Sequence, residues 1–266
     1  MSRVTPQIIA RMKETGHPIV SATAYDYTFS QLVDRAGIDL ILVGDSLGMV
    51  IQGHDTTLPV TLDQMIYHTS AVVRGARRAM VVCDFPFGVC QSAKEVVLAA
   101  AIRIFKESHC DGVKIEGGES VAETIRHLTR QGIPVMGHVG LTPQSVKAFG
   151  GFKVQGREES AARQILADAL AVEAAGAFVI VLEGIPSDLA GRITEKLTIP
   201  TIGIGAGGAC DGQVLVLYDL LGLYGDVTPK FVKRYVEGAE TVGSALEEYA
   251  QEVREGRFPG PEHGFS

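Results

Sequence analysis

Eight short apolar runs, spread along the 266-residue chain and separated mostly by helix-patterned segments, restrict the fold more than any other feature. They are Ile19–Thr23, Leu40–Val43, Met80–Cys83, Val113–Ile115, Pro134–Gly137, Phe178–Leu182, Thr201–Ile204 and Val214–Leu217. Strands that alternate with helices pair in parallel through right-handed crossovers. Runs that are apolar nearly throughout suit strands covered on both faces. Eight such units predict one α/β domain, residues 1–266, folded as a (β/α)8 TIM barrel, for which about 250 residues suffice. A doubly wound open sheet shares this periodicity and is the alternative. The count of eight and the lack of an obvious second domain favour the barrel.

The connecting segments agree. Thr28–Gln31, Thr61–Gln64, Ser92–Glu95 and Ser120–Glu123 match the capping box that starts a helix. Gly37, Gly132 and Gly176 each stand just before a new strand, where glycine can take the left-handed position that ends a helix. Residues 7–13 read as a short helix capping the barrel floor. Residues 44–60 after the second run and 138–160 after the fifth are long connections, which at this end of a barrel usually carry function. Val236–Val253 reads as an amphipathic helix, and the Phe258-Pro-Gly-Pro tail as a surface or interface extension.

A net charge of −7 with no basic run argues against a nucleic-acid partner. Cys83, Cys90, Cys110 and Cys210 lack metal-ligand spacing and read as reduced thiols. The longest apolar run, Val96–Ile102, is too short to span a membrane, and residues 1–18 show no secretory signal core. A cytoplasmic enzyme is the expectation.

Barrel chemistry sits at the carboxyl ends of the strands. Asp26, Asp45, Asp84, Glu116, His138 and Glu183 occupy those positions in consecutive units. One Asp after a strand is usually a turn or cap residue, but the series as a whole points to a site. Within Gly112–Gly118, alternation puts Lys114 and Glu116 on one face and Val113 and Ile115 on the other. A buried lysine and glutamate need partners. Asp45, Asp84 and Glu116 fall on neighbouring strands, about 4.8 Å apart, and three such carboxylates repel unless a cation or protons intervene. An all-oxygen donor set favours Mg²⁺ over Zn²⁺. Lys114 supplies positive charge for an anionic substrate, or simply pairs with Glu116 or Asp84.

Glu183 ends an apolar strand two strands beyond Glu116, so it is expected to face across the mouth, desolvated and suited to act as a base. Its alternative is an ion pair with Lys147 or Lys153. His138 is a candidate substrate-binding residue or a structural hydrogen-bonder. Gly203–Gly208 could cradle phosphate through backbone N–H groups, or simply allow close backbone approach.

Val43-Gly-Asp-Ser-Leu-Gly-Met-Val, Asp84-Phe-Pro-Phe-Gly, Val113-Lys-Ile-Glu-Gly-Gly and Met136-Gly-His-Val-Gly-Leu-Thr-Pro-Gln resemble the ketopantoate hydroxymethyltransferase family. So do Gly150-Gly-Phe-Lys-Val-Gln-Gly, Val181-Leu-Glu-Gly-Ile-Pro and Ile202-Gly-Ile-Gly-Ala-Gly, in order along the chain. The resemblance implies transfer of a hydroxymethyl group from 5,10-methylenetetrahydrofolate to 3-methyl-2-oxobutanoate, giving 2-dehydropantoate for pantothenate and coenzyme A synthesis. It implies Mg²⁺ at Asp45, Asp84 and Glu116. It also implies keto-acid binding by Asp45, Ser46, Asp84 and Lys114, with Glu183 as proton acceptor. A homo-oligomer, a decamer of two stacked pentamers, is implied as well.

Two other readings compete. A Mg²⁺-dependent carbon–carbon lyase on a related barrel would place a reactive cysteine in a mobile loop, but Cys90 has no Lys-Lys-Cys-Gly-His context. A non-catalytic metabolite-binding barrel would lack the strand-end acids.

Overall fold

The computed structural model describes residues 3–225 and 229–265. Strands β1 (Ile19–Thr23), β2 (Leu40–Val43), β3 (Met80–Asp84), β4 (Gly112–Glu116), β5 (Val135–Gly140), β6 (Val179–Glu183), β7 (Thr201–Ile204) and β8 (Gly212–Leu215) close into a parallel barrel in that order. Strand β8 returns to pair with β1. The barrel expectation therefore holds and the open sheet does not.

The helices are α1 (Pro6–Glu14), α2 (Tyr27–Arg35), α3 (Leu47–Val50), α4 (Leu62–Gly75), α5 (Lys94–Ser108), α6 (Glu119–Arg130), α7 (Val146–Phe149), α8 (Glu159–Ala174), α9 (Ser187–Lys196), α10 (Leu217–Leu220) and α11 (Val242–Arg254). No described helix is long and apolar enough to cross a membrane.

Strand alternation divides the core into two shells. Ile41, Val43, Val81, Cys83, Val113 and Ile115 face outward into the layer shared with the helices. Leu40, Leu42, Met80, Val82, Met136 and Val181 fill the barrel interior, and Ile9 and Met12 of α1 close its floor as predicted. On β4 the inward positions are Lys114 and Glu116, so the upper interior is charged where the lower interior is apolar.

The eighth strand begins two residues earlier than its apolar run, and Leu217 opens α10 instead of ending the strand. Gly212 pairs with Ile19 on one side and Ile202 on the other. A Cβ there would come 2.3 Å from the Ile19 carbonyl, so glycine is what lets the barrel close. A search for apolar residues passes over it.

The repeated helix-to-strand joint is present three times. Gly37, Gly132 and Gly176 have φ of 81°, 80° and 96°. The next residue's N–H reaches back five positions in each case, Ile38 to Val33, Ile133 to Leu128 and Ala177 to Val172. This satisfies carbonyls the helix end would leave bare.

Of the four predicted capping boxes, Thr61–Gln64 forms. Helix α2 is capped by Asp26, which accepts from the Phe29 N–H. Ser92 instead donates to the Gly88 carbonyl, and the Glu119 N–H at the start of α6 is taken by Asp168 of α8. The final long helix starts at Val242, not Val236. Phe258 is 4% exposed, packed against Tyr235 and Tyr249, so this part of the tail belongs to the core and not to the surface.

Candidate active site

Register sets the levels of the site. Asp84 pairs with Lys114 across β3 and β4, and Glu116 with His138 across β4 and β5. Glu183 pairs with Gly140, two residues above His138. Paired residues on parallel strands point to the same face, so Asp84 and Lys114 form one layer, Glu116 and His138 the next, and Glu183 the rim. Asp45 and Ser46 come in from the turn between β2 and α3.

The contacts are close. The Lys114 Nζ donates to both Asp84 oxygens at 2.8 Å and to Glu116 Oε1 at 3.0 Å. The Asp45 N–H donates to Asp84 Oδ2 at 3.3 Å. The Lys114, Asp84 and Glu116 side chains are only 2–3% exposed, so water screens these charges little. His138 stands between two acids, Nδ1 3.6 Å from Glu116 Oε1 and Nε2 3.2 Å from Glu183 Oε2. Neither ring nitrogen makes a well-aligned hydrogen bond, so the ring is held there mainly by charge.

Burial pushes the Asp45 carboxyl well above its ordinary range, and the nearby Asp84 and Glu116 charges push it further. Burial also raises Asp84, against the pull of Lys114. Glu116 behaves oppositely. Burial disfavours its charge, but Lys114 and His138 outweigh that and hold it down to about 2. His138 is opposed by burial and by Lys114, yet the adjoining Glu116 and Glu183 carboxylates raise it to about 9.

Sequence reasoning placed Asp45, Ser46, Asp84, Lys114, Glu116, His138 and Glu183 at one end of one barrel, and the fold brings them together there. Asp26 does not join them, because its side chain is spent on the α2 cap. Glu183 is tied to the acidic cluster through His138 and is not isolated across the mouth. Its close partner is His138, and neither Lys147 nor Lys153 pairs with it among the described residues.

Two residues were missed. Gln144, from the turn Pro143–Ser145, donates through Nε2 to Asp45 Oδ2 at 2.9 Å and to the Phe85 carbonyl at 2.7 Å. Its backbone N–H donates to Glu116 Oε2 at 3.0 Å. Tyr25 shares a hydrogen bond with Ser46 Oγ at 2.9 Å. The sequence signals for Gln144 are its place in a long connection at the catalytic end and at the close of the Met136–Gln144 motif.

Gly203–Gly208 serves close packing. Gly205 has φ of 59°, and a Cβ there would lie 2.9 Å from Phe231 and 3.0 Å from Phe265. Burial pushes the Cys90 thiol up, which disfavours its thiolate.

One oxygen from each of Asp45, Asp84 and Glu116 lies within 4.8 Å of the others, all buried. Oxygen-only donors, and an Asp45 carboxyl whose charge its neighbours oppose, fit a hard divalent cation at these three residues. Beside them a cavity of about 440 Å³ opens at the mouth, lined by Ser46 and Glu183 among others.

The barrel resembles solved structures at low identity. A putative phosphonomutase from Burkholderia cenocepacia superposes with a TM-score of 0.65 at 17% identity, covering 82% of this chain and 95% of that one. A phosphonopyruvate hydrolase in complex with oxalate and Mg²⁺ gives 0.60 at 12% identity, covering 98% and 93%. These likenesses speak to fold alone. Sequence comparison goes further. The 3-methyl-2-oxobutanoate hydroxymethyltransferase of Magnetococcus marinus is 60% identical over 263 residues, covering 99% of this chain and 98% of that protein. The protein of the same name from Heliobacterium modesticaldum is 55% identical, covering 99% and 95%. A sequence model of ketopantoate hydroxymethyltransferase matches residues 3–261. On that match, and on full-length identity of this order, the chain belongs to the ketopantoate hydroxymethyltransferase family.

Proposed function

We propose that this chain, acting as one barrel domain, converts 3-methyl-2-oxobutanoate to 2-dehydropantoate, with 5,10-methylenetetrahydrofolate as one-carbon donor and Mg²⁺ as the resident ion. The observation that carries the reading is the pairing of a buried Lys114–carboxylate cluster with a further carboxylate, Glu183, that is linked to it through His138 and lines the adjoining cavity with Ser46. Deprotonation beside a carbonyl needs both, charge stabilisation at the oxygen and a base at the carbon.

Asp45, Asp84 and Glu116 would hold the ion, which when bound neutralises negative charge on the keto acid's oxygens. Lys114 adds a fixed positive charge on that side, and the Ser46 hydroxyl, oriented by Tyr25, adds a donor. Glu183 takes the C3 proton, and His138 fixes the carboxylate's position. Water adds to the donor's methylene carbon as one of its two C–N bonds breaks, and the enolate carbon bonds to that carbon as the second C–N bond breaks. The nitrogens take up the proton from water and the one Glu183 removed, so keto acid, methylene donor and water together yield 2-dehydropantoate and tetrahydrofolate. The place in pantothenate synthesis follows from that product, and a cytoplasmic homo-oligomer accords with the family pattern.

Proton NMR of the keto acid in D₂O tests this without the folate. Loss of the C3–H signal should require Mg²⁺, and Glu183→Gln should slow it by about 10²- to 10⁴-fold while keto-acid affinity stays within about twofold. Equal exchange rates for the variant and the wild type remove Glu183 from the base role. With exchange established, product should form only when methylenetetrahydrofolate is added.

A further inference from the structure

The mouth cavity, at about 440 Å³, is larger than a small keto acid needs and reaches well beyond Ser46 and Glu183. Much of its wall is apolar, including Phe152, Phe231, Phe265, Ile204 and Val216. We propose that it seats the bicyclic ring of the one-carbon donor, with the Asp219 carboxylate on α10 accepting the two N–H donors of the ring's 2-amino-4-oxo edge. This assignment rests on the folate-dependent reading above and names the residue that would recognise the ring.

Asp219 is a mostly buried acid on a largely apolar wall, and no described residue supplies it with a hydrogen bond. Arg234, whose charge is felt there, pairs with Glu237 at 3.7 Å instead. Burial lifts the Asp219 carboxyl to about 6 against that pull. A desolvated acid without a donor is costly unless a ligand completes it. A neutral ring with adjacent ring N–H and amino donors does so without bringing a counter-charge, and matches the two oxygens side by side.

Other features of the wall agree. Phe231 and Phe265 stand edge to face at 6.4 Å, seated on Gly205, and offer flat apolar surface to an aromatic ring. Lys153 and Lys230 also line the cavity. They suit the carboxylates of the donor's tail. Glu183 and Ser46 line the same space, so a ring held here carries its methylene beside the carbon that Glu183 deprotonates.

Calorimetric titration of the full-length enzyme tests the assignment, using tetrahydrofolate and its 2-desamino analogue on the wild type and Asp219→Asn. The substitution should weaken tetrahydrofolate about 10- to 100-fold and the 2-desamino analogue much less. Mg²⁺-dependent C3 proton exchange of the keto acid should change less than about threefold, since that step does not use the ring. Unchanged tetrahydrofolate affinity, or equal loss for the two ligands, overturns the assignment and leaves the keto-acid chemistry standing. Loss of proton exchange along with affinity also overturns it, because Asp219 would then support the site as a whole. A wild-type enzyme that exchanges the C3 proton but binds no tetrahydrofolate overturns the folate reading and this assignment with it.

Discussion

Lys114 is affordable at 3% exposure because two carboxylates accept hydrogen bonds from its ammonium, and those carboxylates are tolerable because Lys114 faces them. The third acid, Asp45, has no such cation in hydrogen-bond contact among the described residues. Its carboxylate accepts the Gln144 amide, which makes Gln144 the hinge of the donor set. Gln144→Ala keeps the backbone N–H on Glu116 and removes the side-chain donor from Asp45 and from the Phe85 carbonyl. We expect Mg²⁺ affinity, measured calorimetrically with the keto acid present, to fall about 10- to 100-fold, the usual cost of losing an outer partner to a metal ligand. Unchanged affinity would mean that Asp45 is positioned by the backbone and not by Gln144. At this scale the sequence was legible where alternation or strand ends constrain a side chain, as for Lys114, Glu116, Asp84 and Glu183. It misled at Asp26, because a strand-end acid and a helix cap occupy the same position in the chain. It was silent at Gln144, because a loop amide acquires its role only from the path the loop takes.

Helix starts show how local pattern and tertiary context compete. Thr28, Thr61, Ser92 and Ser120 carry the same signature, yet only Thr61 forms the reciprocal box, with the Gln64 side chain 2.8 Å from its N–H. Asp26, the Gly88 carbonyl and Asp168 claim the other positions. Thr61→Ala should therefore cost about 0.5–2 kcal/mol by urea denaturation and Thr28→Ala about 0.5 or less. Comparable losses at the two sites would show that the boxes are equivalent in solution. The end of α11 offers a pH test. Burial disfavours the Glu252 charge, but Lys233 and the Tyr235 hydroxyl at 2.7 and 2.8 Å outweigh it and hold the carboxyl below its usual 4.5. A carboxyl lowered in the folded state contributes stability above its unfolded value, and loses it as pH falls through the folded one. Glu252→Gln should cost about 1–3 kcal/mol at neutral pH, discounted because Lys233 and Arg257 are partly exposed. That gap should close as pH falls from the usual 4.5 through the lower folded value. A gap that persists in acid would assign the loss to packing instead of charge.

At the scale of the molecule, period and count carried the barrel, since eight parallel units in sequence have few ways to bury both faces of every strand. What they could not carry is the outer surface, where neither burial nor register applies. There α4 and α5 lie side by side and expose Tyr67 at 73%, Val96 at 54% and Ile102 at 46%. Large apolar side chains on neighbouring helices are what a subunit interface covers. Sedimentation of the wild type should give a mass several times the 28.3 kDa chain, ten times if the decamer implied by the family pattern is correct. The double variant Val96→Glu, Ile102→Glu should lower that mass by desolvating charge against the partner. Both Glu183 and the cluster of Lys114, Asp45, Asp84, Glu116 and Gln144 come from one chain, so the dissociated variant should still exchange the C3 proton of the keto acid. A wild type that sediments as 28.3 kDa would leave these exposed side chains without a subunit to cover them. Exchange lost on dissociation would instead show that a neighbouring subunit holds the mouth loops in place.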